Sequence, residues 1–205
     1  MSWSFNQGDA KALQGTVSEE GLFSYATSSL GSDLEFLGTN KAGSLTVTKV
    51  QPKVKASNNG DGNAISFSLK TKKGLSLSVK SFSFDACKLG TNGGSIDVVA
   101  EAGGKSYELL KDESPQNAKN DPYFTHYKAD LSQIPATEGE WVIKVFVKNV
   151  AINKQYGFAN FAIAATTEGK VEQVNSYSLS ASLADAKAGS IKVSPTGDIF
   201  DEGTS

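Results

Sequence analysis

The chain has 205 residues and a formal net charge of −2, and all 20 of its basic residues are lysines. Scattered lysines provide no bidentate fork for phosphates or guanine edges, which argues against nucleic-acid binding. With 39% hydrophobic and 20% charged residues the composition is that of a globular protein, and no apolar run is long enough to cross a bilayer. Residues 1–5 show no signal peptide, as expected of a cytosolic protein or of a mature secreted protein that begins with an added methionine.

Alternation of apolar and polar residues predicts β-strands along most of the chain. Trp3 and Phe5 are expected to dock as a first edge strand, because tryptophan is costly to leave in water. Further along, Ile65, Phe67 and Leu69 alternate with polar residues and would share one buried face. The predicted strands fall near residues 44–50, 63–70, 75–86, 95–101, 105–110, 122–131, 140–148 and 156–165. Eight short strands between Gly- and Asn-rich turns predict an all-β jelly-roll β-sandwich.

The apolar alternation changes phase at two places. It shifts by one residue between Val79 and Phe82, and again around Phe158. A regular strand would then turn side chains to the wrong face, so a β-bulge or a bend is expected near Lys80 and near Phe158. The core should contain Phe82, Phe84, Phe158 and Phe161.

A change in composition suggests how the chain is divided. After Ala165 it becomes polar, and a new alternation begins at Tyr177. This pattern predicts a jelly-roll domain over residues 1–166, a linker over 167–173, and a partial β-repeat or packed tail over 174–205, with a strand at Ile191 and Val193. About thirty residues with two or three strands do not bury a core alone.

The sequence has few groups with which to run a reaction. His126 is the only histidine, and Cys87 is the only cysteine. We place Cys87 with Phe82 and Phe84 on the core-facing side, as a buried structural thiol. A glycosidase needs two carboxylates at a defined separation, which a sequence does not give. Carboxylates are present at Asp97, Glu101, Asp112, Glu113, Asp121 and Asp130. We predict a protein that is not an enzyme, with no catalytic residue and no cofactor.

One loop resembles a calcium loop in its spacing. Asn59, Asp61 and Asn63 offer side-chain oxygens at alternate positions, without the glutamate of an EF-hand. Turn formation explains the same residues, so structural calcium stays an open alternative.

The best functional signal is a set of aromatic and polar residues outside the alternating sets. Aromatic rings stack on the apolar faces of sugars, while amide and amino groups hydrogen-bond to hydroxyls. The candidate ligand-binding residues are Tyr123, His126, Tyr127, Asn153, Lys154, Gln155 and Tyr156. The alternative, that the tyrosines cap the sandwich and bond through their hydroxyls, stays open.

Two parts of the chain resemble known families. Residues 79–98, VKSFSFDACKLGTNGGSIDV, and 153–163, NKQYGFANFAI, resemble a β-sandwich module of secreted Bacteroidetes proteins that is often attached to polysaccharide-degrading enzymes. Residues 189–195, GSIKVSP, and 201–204, DEGT, are similar to the opening of the listerial internalin B-type β-repeat.

This resemblance implies a galactose-binding-like jelly roll that serves as a non-catalytic carbohydrate-binding module of a polysaccharide-utilisation protein. The implied location is secreted, cell-surface or periplasmic. The implied partners are a glycan and neighbouring domains of a longer chain, with the protein itself a monomer. The first alternative is a structural or adhesive spacer domain, and the second is a polysaccharide lyase or hydrolase.

Overall fold

The computed structural model describes residues 1–90, 94–149, 151–152 and 154–172, and the strand backbones of 176–178 and 199–201. The chain divides into two units, Met1–Lys170 and Val171–Ser205. In the second unit, strand β12 (Ser176–Ser178) pairs antiparallel with β13 (Ile199–Asp201). The predicted strand at Ile191 and Val193 lies outside the described residues. The division at residues 166 and 173 stays a prediction, and the last strand of the first unit runs to Gly169.

The described part of the first unit consists of strands and three short 3-10 helices, at Ala10–Leu13, Glu20–Leu22 and Asp61–Asn63. The strands are β1 Ser2–Trp3, β2 Phe23–Leu30, β3 Leu34–Ala42, β4 Leu45–Pro52, β5 Ala64–Thr71, β6 Leu75–Lys88, β7 Ile96–Ala102, β8 Lys105–Glu113, β9 Thr125–Asp130, β10 Trp141–Val147 and β11 Tyr156–Gly169. The eight predicted strands are β4 to β11. Within the described residues, no helix is long and apolar enough to span a membrane.

The strands form two antiparallel sheets. The first sheet has the order β3-β4-β11-β6-β9, with β1 paired to β11, and the second has the order β2-β5-β10-β7-β8. The eight strands β4 to β11 are divided between the sheets as β4-β11-β6-β9 and β5-β10-β7-β8. This is the strand order of the two sheets of a jelly roll. The predicted all-β jelly-roll fold is therefore confirmed, with β2 and β3 added at the edges.

Aromatic residues of the two inner faces fill the core. Phe82, Phe84, Phe158 and Phe161 are all buried, as predicted, and the rings of Phe84 and Phe161 stack with centroids 5.1 Å apart. Trp3 and Phe5 are buried as well, and Trp3 pairs with β11, which confirms the expected docking of the N-terminus. Phe5 has a φ of 53° and lies beyond β1, so the strand is shorter than expected.

Both predicted irregularities are β-bulges in the pairing of β6 with β11. Ser81 and Val79 face the consecutive residues Ala164 and Ala165, so Lys80 is the extra residue on β6. On β11 an extra residue is inserted between the partners of Asp85 and Ser83, where Asn160 has a φ of 54°. The second bulge brings Asn160 to the solvent side of the sheet.

Cys87 is buried, but on the face opposite to the one predicted. It has the strand parity of Asp85, whereas the core-facing Phe82 and Phe84 have the other parity. Cys87 packs with Ala42, Val47 and Ala159 in a small apolar cluster on the outer face of the first sheet. Phe124 and Ala118, from the loop before β9, pack against this cluster. Burial raises the pKa of the Cys87 thiol to about 11.

Candidate functional site

Three polar side chains meet on the outer face of the first sheet. His126 on β9 lies opposite Asp85 on β6, and its Nδ1 is 2.7 Å from Asp85 Oδ1. Asn160, at the β11 bulge, donates from Nδ2 to Asp85 Oδ2 at 2.7 Å. We call Asp85, His126 and Asn160 the His126 cluster. Each carboxylate oxygen of Asp85 thus holds one side chain of a neighbouring strand.

The cluster combines a buried carboxylate with an exposed ring. The Asp85 side chain is 9% exposed, whereas that of His126 is 59% exposed. An ionised carboxylate only accepts hydrogen bonds, so this contact assigns a proton to His126 Nδ1. In the neutral ring, Nε2 is then a hydrogen-bond acceptor that faces solvent. Asp85 therefore sets both the orientation and the tautomer of the exposed imidazole.

Small side chains line the face next to the cluster. Ser83 pairs with Ala162, and Ser81 pairs with Ala164, all on the outer side of β6 and β11. We call these four small residues the floor. On β9, the exposed Lys128 pairs with Ser83 at the side of the floor. The result is a shallow polar surface rather than a deep pocket.

Tyr123 adds an exposed aromatic ring at the turn between β3 and β4, next to Phe124, which packs on the outer-face cluster of Cys87. Its side chain packs on Gly43 in the turn between β3 and β4, where a Cβ atom would lie 2.5 Å from the ring Cδ2. Gly43 has a φ of +61°, so both the backbone and the ring require glycine there. Tyr123 is 40% exposed. It is therefore held in place and also accessible to a ligand.

Two other predicted tyrosines are structural, which corrects the expectation that they stack on a ligand. Tyr127 stacks on Phe84, with ring centroids 5.2 Å apart, and is 6% exposed. Tyr156 is fully buried and donates its hydroxyl to Lys148 O at 3.0 Å. Burial raises the pKa of each hydroxyl to about 12. Both residues follow the core-facing parity of their strands, which places their rings between the sheets.

The polar residues before β11 lie away from the cluster. Gln155 Nε2 donates to Gln51 Oε1 at 3.0 Å, and Gln51 Nε2 donates to Glu35 Oε1 at 3.1 Å. Lys154 is half-buried, and Asn153 lies outside the described residues. No contact between described residues joins Lys154 or Gln155 to His126. Of the seven predicted residues, the structure thus places Tyr123 and His126 on this exposed face.

Asp85 and Asn160 were missed by sequence reasoning. Asp85 follows the core residues Phe82 and Phe84 but has the opposite strand parity. That parity predicts a carboxylate on the outer face of the strand. Asn160 stands at the expected phase shift near Phe158, where asparagine tolerates a positive φ. Asn160 was therefore open to prediction from the bulge, whereas the contact of Asp85 with His126 depends on the pairing of β6 with β9.

The loop with calcium-like spacing forms internal bonds. Asn63 accepts from Gly60 N at 2.9 Å and donates to Val147 O at 3.0 Å. Asp61 pairs with Lys144 at 3.0 Å. Within the described residues, no group of three or more His, Cys, Asp or Glu side chains is arranged to hold a metal ion. Turn formation accounts for the positions of Asn63 and Asp61.

No protein-family model and no curated protein matches this chain. Among solved structures it is similar to TmCBM61, a carbohydrate-binding module in complex with β-1,4-galactotriose, at 14% identity and a TM-score of 0.39 over 71% of this chain and 92% of that one. It is similar to the N-terminal cellulose-binding domain of a Cellulomonas fimi β-1,4-glucanase, at 14% identity and a TM-score of 0.33 over 72% and 90% of the two chains. It also resembles the arabinose-bound α-L-arabinofuranosidase MgGH51, at 9% identity and a TM-score of 0.38 over 80% of this chain and 26% of that one.

Proposed function

We propose that the protein is a non-catalytic carbohydrate-binding module and that the outer face of its first sheet binds a glycan. The observation that supports this most directly is the His126 cluster. A carboxylate that is buried on an outer face loses solvation, and only hydrogen bonds compensate for that loss. Asp85 uses its bonds to hold two exposed polar side chains in fixed positions. Such preorganised groups bind a ligand with less loss of side-chain entropy.

The chemistry of this face suits a sugar. His126 Nε2 accepts a hydrogen bond from a hydroxyl, and the side-chain oxygen of Asn160 is a second acceptor. Tyr123 offers an aromatic ring to the apolar C–H face of a pyranose. The floor of serine and alanine leaves space for a flat ring to lie on the sheet.

The same face gives less support to catalysis. Asp85 has both of its oxygens engaged, and Asp130, the carboxylate that β9 places on the same face, lies about 13 Å away along the strands, farther than the pair of a glycosidase. Glycoside hydrolysis needs two carboxyl groups, of which one donates a proton to the leaving group. We therefore propose a binding domain, attached to a secreted or surface protein that acts on polysaccharides.

A structural or adhesive spacer is the second candidate. The burial of Tyr127 and Tyr156 favours it, because these aromatic residues stabilise the sandwich and do not reach a ligand. A spacer has no need of an exposed imidazole fixed by a buried carboxylate, and a binding module does.

Affinity gel electrophoresis and calorimetry against soluble galactan, pectin, xylan and cellulose derivatives test the proposal. We expect retention by one glycan class, with at least a tenfold loss of affinity for Tyr123→Ala and for His126→Ala. The melting temperature should change little for Tyr123→Ala, because that side chain is largely exposed, and should fall for His126→Ala, because the buried Asp85 carboxylate loses one of its two side-chain partners. Val54→Ala, which truncates another exposed apolar side chain, is the matched control. No retention by any glycan would favour the spacer. Equal retention of all variants would mean that Tyr123 and His126 do not form the binding site.

A further inference from the structure

The outer face of the second sheet, on the other side of the sandwich, carries two neighbouring depressions. One has a volume of about 340 Å³ and is lined by Glu101, Ser106, Glu140 and Val142, among others. The other has a volume of about 370 Å³ and includes Asn58, Asp97, Glu108 and Lys148 in its lining. Glu101 and Asp97 both belong to β7 and are about 13 Å apart along the strand. We call the outer side of β7 and β10, from one depression to the other, the trough.

The strand register places two rows of side chains across this outer face. One row across the sheet reads Thr27, Ser68, Val142, Glu101 and Ser106. The next row reads Ser29, Ser66, Lys144, Val99 and Glu108. Both rows carry hydroxyl groups on β2 and β5, and each carries one valine and one charged residue on β10 and β7.

Each lysine of the trough lies between two carboxylates. Lys144 Nζ is 2.9 Å from Glu101 and 3.0 Å from Asp61, and Lys148 Nζ is 2.8 Å from Asp97 and also bonds to Asp112. Each of these groups keeps a net negative charge, which disfavours a polyanion. A carboxylate has about four acceptor sites, so each one keeps free capacity for ligand hydroxyls. The trough is therefore a fixed array of hydrogen-bond acceptors.

An exposed aromatic ring stands at one end of this face. Tyr25 on β2 is 37% exposed, and the carboxylate of Glu140, which lines the first depression, raises the pKa of the Tyr25 hydroxyl. The ring therefore stands close to the first depression.

We infer that the outer face of the second sheet is a second ligand-binding surface, which takes a neutral polyhydroxyl chain. The inference uses other residues than the proposed function and shares with it the class of ligand. With one surface on each side of the sandwich, a single molecule bridges two glycan chains.

Amide chemical-shift mapping with a soluble neutral β-1,4-galactan, a xylan and polygalacturonate tests the inference on the full chain. We expect the neutral glycan that binds to shift amides of β7 and β10 as well as those of β9. Val142→Arg should abolish the shifts at β7 and leave those at β9. Tyr25→Ala, at an exposed position, should weaken the β7 site at least fivefold even if the arginine variant fails to fold.

Bridging gives a second readout. The unmodified protein should make a solution of the neutral polysaccharide turbid, whereas Tyr25→Ala and His126→Ala should bind it without turbidity. Shifts confined to β9, or stronger binding of polygalacturonate at β7, would overturn the inference while the proposed function stands. Shifts confined to β7 would overturn the proposed site and leave the inference intact. Absence of shifts with every glycan would overturn both.

Discussion

The ammonium group of Lys148 lies 2.8 Å from Asp97 Oδ1, and the two side chains are only 11% and 6% exposed. Asp97 Oδ1 also accepts the backbone N–H of Asp112 at 2.7 Å, and the Asp112 carboxylate is the second partner of Lys148. The pair thus fixes the end of β10 to β7 and β8. A charge left alone at this place would lie largely out of water.

Replacing Lys148 with methionine should strongly destabilise the protein. Asp97 would remain buried without its cation, and breaking such a pair costs about 3–5 kcal/mol. Urea unfolding measures the change in the free energy of unfolding. Lys144→Met is the matched control, because its partners Glu101 and Asp61 are 43% and 86% exposed. This substitution should lower the free energy of unfolding by about 1 kcal/mol or less. Equal losses for the two variants would contradict this account.

The Asp112 carboxylate should make stability depend on acid pH. Its hydrogen bond with Lys148 holds the pKa of the Asp112 carboxyl below its ordinary range. A lowered pKa in the folded state means that the stabilisation is present above the unfolded value and is lost as the pH falls through the folded value. Asp112→Asn should therefore be less stable than the unmodified protein at pH 7. The gap between their urea midpoints should close as the pH falls through the lowered pKa of Asp112, and a gap that stays constant throughout the acid range would exclude this origin.

Tyr156 should matter for stability and not for binding. Tyr156→Phe removes the hydroxyl that donates to Lys148 O and should lower the free energy of unfolding by about 1 kcal/mol. Thermal unfolding and the glycan affinity of the same preparation check both parts. A loss of glycan affinity in a variant that stays folded would return Tyr156 to the binding residues.

Cys87 should be inert in the folded protein. With a pKa of about 11, only about one thiol in a thousand is a thiolate at pH 8, and the fully buried sulfur is not accessible to reagents. Ellman's reagent should therefore react with Cys87 in guanidinium chloride and not in buffer. Rapid reaction in buffer would mean that the loop before β9 opens readily from the outer face of the first sheet.

The sequence predicted the central strands because buried residues on one face leave a period-2 pattern. Lys80 and Phe158 marked both bulges for the same reason: a shifted register must restore the buried face. The edge strands β2 and β3 were missed, since in β2 only Phe23, Ala26 and Leu30 pack on the core and the other positions are polar or exposed. An edge strand with one weakly apolar face has little pattern to read.

Tyrosines were the hardest residues to assign. Tyr123 and Tyr127 stand four positions apart in one segment, yet one is exposed on Gly43 and the other stacks on Phe84. Their difference depends on where β9 begins, at Thr125, and on a contact with the distant turn between β3 and β4. Neither is contained in local sequence. His126 was found because it is the only histidine, while its partner Asp85 depends on the pairing of β6 with β9.

The pairing of β1 and β4 with β11 means that the first sheet is completed only when the last strand is in place. Trp3 pairs with Phe161, and Val50 pairs with Tyr156. Strands β1 and β4 therefore lack this pairing partner until more than a hundred further residues have been synthesised. Contacts between residues so distant in the chain slow folding, because a long loop must close before its ends attract each other. A ribosome-bound chain that stops before β11 should therefore remain unfolded, with its aromatic core residues open to chaperones.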